Sequence, residues 1–280
     1  MFPLRRTLET EIIESLQKGP LSTRDLLESL RTRHRSTTKQ GMYVALRKLI
    51  RAEIVLKQKQ QVSLNVTWLT RMESFVTVAG HFYAKDAQGG SFLSLADGEK
   101  ITYRFRDSNA TDAFWIHILL LLVEAYPGTP FVAYDPHCWF LLVRSPSERT
   151  LRDAIIQRGG QYFILAGGKQ PLDRVIRGEF NGKSSQYYMR ESPLYPQNNY
   201  YINVIGDYVI EVWIDAAHAN AIERVYETES TMSPAAEEQL RYIINSRGRS
   251  KLVISRNKRH SQKIFAKLTK PFVVANRSAV

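Results

Sequence analysis

Cysteine is almost missing from this sequence: Cys138 stands alone among 280 residues. An internal disulfide is therefore excluded, and a chain made for a reducing compartment is expected. Long hydrophobic runs are missing too. The most apolar run, 113–123, spans 11 residues, about half of the ~20 that a membrane-crossing helix requires. The opening MFPLRRTLETEII carries acids where a signal peptide needs an unbroken apolar run. A soluble cytoplasmic protein with no membrane partner is the expectation.

Motifs of catalysis are equally scarce. His34, His81, His117, His137, His218 and His260 fall in no Cys/His or His-Glu spacing of the zinc-site kind. Gly167-Gly168-Lys169 lacks the rest of a phosphate-binding loop, and no G-x-S-x-G elbow occurs. Asp135-Pro136-His137-Cys138 is the one local cluster with base and nucleophile types together. Read as an extended strand, it points neighbouring side chains to opposite faces, so His137 and Cys138 diverge. No catalytic residue, metal or cofactor is expected, and His117 on its apolar helix reads as a core histidine.

Acidic residues are distributed unevenly. The final segment, 246–280, has ten Lys/Arg and no acid, while residues 1–71 hold 14 Lys/Arg against 6 Asp/Glu. Between them, 72–245 is net acidic, with 15 against 21, although the whole chain is +12. Basic ends around an acidic middle are the electrostatic pattern of polyanion binding. The length exceeds the ~100–150 residues typical of one domain, so two domains are expected.

What is present is best punctuated in the first seventy residues. Leu8, Ile12, Ile13 and Leu16 recur at helical spacing, and Lys18-Gly19-Pro20 stops that helix. Ser22 with Asp25 makes a capping-box start for a second helix, with Leu21 and Leu26 as its hydrophobic staple. A third helix is expected over 37–52, with Met42, Ala45, Leu46 and Leu49 facing the other two. Its opposite face carries Thr38, Lys39, Gln40, Tyr43 and Arg47, with Lys48 and Arg51 beside it. The period then turns to alternation. A short strand over 54–56, a polar basic tip over 57–61, and Val62, Leu64, Val66 and Trp68 on a returning strand together form a wing.

The segment KGPLSTRDLLESLRTR…TTKQGMYVALRKLIRAEIV resembles the winged helix-turn-helix domains of PadR-, MarR- and TrmB-type regulators. The resemblance covers about a quarter of the chain. It implies that 37–51 is a recognition helix for the major groove and that the tip follows the DNA backbone. Lys39 and Gln40 are then base readers, Thr37 and Thr38 contact phosphate or base, and Tyr43 shares the reading face. Arg47, Arg51, Lys57 and Lys59 hold phosphates. Those families often place glycine in the turn before the wing, where this chain has Ala52-Glu53, so a differently shaped turn is expected. TrmB-like regulators also carry a phospholipase-D-related domain whose active members need His-x-Lys. No histidine here has lysine two residues on.

Beyond residue 72 the pattern is mixed. Strands are expected over 76–84, 91–95, 101–105, 131–134, 138–143 and 162–165, with helices over 112–126, 147–157 and after Pro171. A tyrosine-rich irregular stretch leads to a hairpin, 201–205 and 208–214, around Gly206-Asp207. Helices over 216–229 and 234–245 follow, then a strand over 252–255 and a basic helix whose Arg256, Lys258, Arg259, Lys263 and Lys267 are either solvated surface or a DNA flank. The fold class is thus α+β: a winged helix-turn-helix domain, 1–72, then a mixed α/β domain, 73–280. The function expected is a sequence-specific regulator of transcription that binds double-stranded DNA as a homodimer. The second domain serves dimerisation, sensing of a small-molecule effector, or both. The rival readings are a nucleic-acid-processing enzyme, nuclease or phospholipase-D-like, docked by the wing, and a protein-interaction adaptor.

Overall fold

A computed structural model describes residues 7–33, 36–85 and 91–274. The chain divides into two compact units, 1–83 and 84–280. His34 lies outside the described residues.

The first unit contains α1 (Leu8–Ser15), β1 (Leu21–Ser22), α2 (Thr23–Arg33), α3 (Lys39–Arg51), β2 (Val55–Gln58), β3 (Gln61–Leu64) and α4 (Val66–Lys85). Caps explain where the helices begin. The Thr7 hydroxyl accepts from the Thr10 N–H, and Ser22 Oγ accepts from the Asp25 N–H at 3.1 Å while donating to its carboxylate at 2.7 Å. The Thr38 hydroxyl caps α3 through the Gly41 N–H. A cap of this kind is worth about 1 kcal/mol. The strands form an antiparallel sheet in the order β1-β3-β2. Ile12, Leu16, Leu26, Leu30, Met42, Leu46, Leu49, Val55 and Val62 make one core from all three helices and the hairpin.

The returning strand stops at Leu64, earlier than expected. The Asn65 side chain accepts from the Thr67 N–H and donates to the Glu53 carbonyl. Asn65 thereby caps α4, and Val66 and Trp68 begin a helix. The strand expected over 76–84 is also helix, the later turns of the 20-residue α4.

The second unit runs β4 (Lys100–Asp107), α5 (Ser108–Ala125), β5 (Phe131–Asp135), α6 (Trp139–Val143), α7 (Ser145–Gln157), β6 (Tyr162–Ala166), α8 (Pro171–Val175), β7 (Ser185–Met189), β8 (Tyr200–Ile205), β9 (Tyr208–Trp213), α9 (Ala216–Thr228), α10 (Pro234–Asn245), β10 (Arg247–Arg256) and α11 (Lys258–Leu268). Its seven strands form a mixed sheet in the order β4-β10-β9-β8-β5-β6-β7, with β5, β6 and β7 parallel and the other pairings antiparallel. One face packs on α5, α6, α7, α9 and α10 through Trp115, Leu122, Phe140, Leu151, Ile222 and Leu240. The other face meets α11 through Leu268, Ile264 and Phe265, over Val132, Phe163, Ile202 and Val209. Covered on both sides, β5 and β6 are buried at every position, which is why FVAYD and YFILA read as near-continuous apolar runs.

Three further expectations are corrected. Residues 139–143 form α6, because a run as short as CWFLLV carries no decisive period. Residues 91–94 form a 3-10 turn. The tyrosine-rich stretch contains a strand, β7, paired in parallel with β6. Among the described residues no helix is long and apolar enough to cross a membrane.

Candidate nucleic-acid interface

Helix α3 divides cleanly. Met42, Ala45, Leu46 and Leu49 are buried, while Thr38, Lys39, Gln40, Arg47 and Arg51 are exposed and Thr37 and Tyr43 are half-buried. Lys39, Tyr43, Arg47 and Arg51 recur every four residues, so they form one stripe along the helix. Val44 belongs to this face and is 39 % exposed. Its signal in the sequence was position alone, four residues after Gln40 and three before Arg47.

The hairpin brings a further cation to the stripe. Lys57 shares a sheet face with Val55 and Val62, the face turned toward the core. Its ammonium lies 5.3 Å from the Tyr43 ring centroid, a cation–π contact worth about 0.5–1 kcal/mol at an exposed site. Lys59 is placed apart, exposed at the tip. That tip is short and tethered, because the Gln60 carbonyl accepts from the Thr23 N–H at 2.8 Å. Lys48 is engaged elsewhere, paired with Glu9 at 2.9 Å. Thr38 spends a lone pair on its cap, and the Thr37 carbonyl accepts from Arg31 Nε.

The turn before β2 and the tip of the hairpin each hold a residue other than glycine at positive φ. Glu53 takes φ +57°, the left-handed conformation that glycine adopts without cost, and Lys59 does the same at φ +54°.

The second unit holds a different polar site, at the carboxyl ends of the parallel strands, where ligands of open α/β sheets collect. A cleft of about 300 Å3 is lined by His137, Gly167, Gly168, Lys169, Tyr195 and Glu223, among others. His137 Nδ1 lies 3.3 Å from both Asp173 carboxylate oxygens, and Nε2 lies 3.3 Å from Glu223. The ring stacks on Tyr226 with centroids 4.1 Å apart. Burial by itself pushes the imidazole down, but hydrogen bonds and charge from Asp173 and Glu223 outweigh it and raise His137 to about 9. The bond to His137 in turn holds Glu223 below the usual carboxylate range. Gly167 and Gly168 are explained by close approach. A Cβ on the first would sit 2.6 Å from the Tyr134 hydroxyl, and on the second 3.2 Å from His137 Cε1.

Cys138, next to His137 in the chain, is fully buried, with its sulfur 3.8 Å from the Asp135 carboxylate. Burial pushes its thiol and the Asp135 and Glu148 carboxyls well above their ordinary values. Among the described residues no group of three or more His, Cys, Asp or Glu is arranged to hold a metal ion. His117 is half-buried and held below its usual value by desolvation. Comparison with protein-family models and with curated proteins found no match.

Proposed function

We propose that this protein is a transcription regulator that reads double-stranded DNA with α3 and holds the backbone with the β2–β3 hairpin. The observation that carries the reading is the stripe Lys39, Gln40, Tyr43, Val44, Arg47 and Arg51, which includes no acid and is joined by Lys57 over Tyr43. Lys39 and Gln40 stand in the first turn of α3, the part of a recognition helix that approaches bases. An amide and an ammonium can bond purine edges, and Val44 offers an apolar contact for a thymine methyl. The element order and the β1-β3-β2 sheet agree with the winged helix-turn-helix resemblance. In this reading the protein works as a homodimer, since two half-sites multiply specificity. An effector would occupy the cleft at His137, whose volume suits a small polar molecule.

The test is fluorescence anisotropy of the full chain with random duplex DNA across a salt series, followed by selection of a preferred site. Affinity should fall steeply with salt. Lys39→Ala/Gln40→Ala should keep non-specific affinity and lose preference for the selected site. Absence of binding at low salt would refute the proposal.

A further inference from the structure

The second unit carries a basic surface that the α3 reading does not use. Helix α11 covers the sheet over β5, β8 and β9, and β10 and the edge strand β4 lie beyond it. In β4, Ile101, Tyr103 and Phe105 pack on the core of the opposite face. Alternation then places Lys100, Thr102, Arg104 and Arg106 together on the open face. Lys251 of β10 is the direct cross-strand partner of Arg104, so it shares that face. Arg249 is exposed two residues earlier, beside the bulge between Arg247 and Ser250. All five cations are exposed, and none forms an ion pair among the described residues. Two carboxylates lie close to the row: Asp215 accepts from the Arg249 backbone N–H at 2.9 Å, and Glu211, opposite Val253, is engaged by the Tyr200 hydroxyl at 2.7 Å.

Like charges directly opposite each other on neighbouring strands destabilise a sheet, so the Arg104–Lys251 pair costs the fold something. Edge protection explains lysine and arginine on β4. It does not explain Lys251, because at that residue β10 is an interior strand paired with both β4 and β9. We infer that this open β4–β10 face is a second contact surface for the phosphate backbone of duplex DNA. Cations spaced about 6.7 Å along β4 and about 4.8 Å across to β10 meet a regular line of phosphates without reading bases. Single strands need bare aromatic faces for stacking. The nearest aromatic in the row, Trp213, is already covered by the Lys251 ammonium at 4.4 Å. That contact favours a duplex. The exposed Lys258, Arg259 and Lys263 of α11 add to the positive field of the same unit.

This inference rests on the DNA-binding reading, and its test separates the two. Full-length protein, the sheet variant Arg104→Gln/Arg106→Gln/Arg249→Gln/Lys251→Gln, and the helix variant Lys39→Ala/Gln40→Ala/Arg47→Ala are titrated with a random 40-base-pair duplex and with a single strand of that length. Titrations run from 50 to 200 mM salt. Each phosphate neutralised contributes about 0.9 to the slope of log affinity against log salt. If the sheet variant neutralises two to four fewer phosphates, its slope should flatten by about two to four. Over the fourfold salt range its affinity should then fall ~10- to 100-fold less than the parent's. A flattened slope in the sheet variant with a helix variant that still binds supports the inference, even if α3 proves not to read bases. An unchanged slope in the sheet variant, with the parent binding duplex, overturns it and leaves the α3 reading standing. Preference of the β4–β10 face for the single strand, or no duplex binding by the parent, also overturns it.

Discussion

Raising the pH should unfasten the second unit at His137. The imidazolium sits between Asp173, whose side chain is fully buried, and Glu223, and is itself 5 % exposed. Its value is raised to about 9 in the folded chain against about 6.5 when unfolded. A raised histidine stabilises fully below its unfolded value, and that contribution disappears as pH climbs through the folded one. Linkage over this interval gives about 2.5 kcal/mol lost between pH 7 and pH 10. His137→Gln removes the charge and leaves a buried carboxylate without its ion partner, which costs about 3–5 kcal/mol at neutral pH. The gap between parent and variant should therefore be widest near pH 6 and below, and narrow by about 2.5 kcal/mol from pH 7 to pH 10. Urea unfolding followed by tryptophan fluorescence is the assay, since Trp115, Trp139 and Trp213 all lie in the second unit and only Trp68 in the first. Parallel pH profiles for the two proteins, or an imidazole resonance of His137 titrating near 6.5, would refute the reasoning.

Gly248→Ala should destabilise the second unit by about 2–3 kcal/mol in the same unfolding assay. A Cβ there would collide with His218 Cε1, and Ser108 and Ser246 hold that ring at both nitrogens. Glu53→Gly should raise the first unit's stability by about 0.5–1 kcal/mol by removing a left-handed penalty, less whatever the exposed pair with Arg71 contributes. Differential scanning calorimetry reads that shift. Arg104→Gln should stabilise the second unit by a few tenths of a kcal/mol, about what separating an opposed like-charge pair returns, and a lowered melting temperature would contradict it.

Parts of the fold whose signals are local were legible before any packing was known. Ser22 with Asp25 marked the start of α2, Lys18-Gly19-Pro20 the end of α1, and Gly206-Asp207 the turn of the β8–β9 hairpin. The polar stripe of α3 was legible for the same reason, because helical spacing decides which side chains share a face before any packing occurs. Local signals misled where one residue changed the period. Asn65 caps α4 through its side chain, but alternation carried across it read on as strand.

Tertiary structure alone decided the rest. Asp173 and Glu223 stand 36 and 86 positions after His137 in the sequence, and only the packing of α8 and α9 at the end of β5 brings all three together. Lys57 reaches Tyr43 because hairpin register turns it toward the core face. Arg104 meets Lys251 across a strand pairing that spans more than half the chain. Strand order and register are set by burial of both sheet faces, and no window of adjacent residues contains that information.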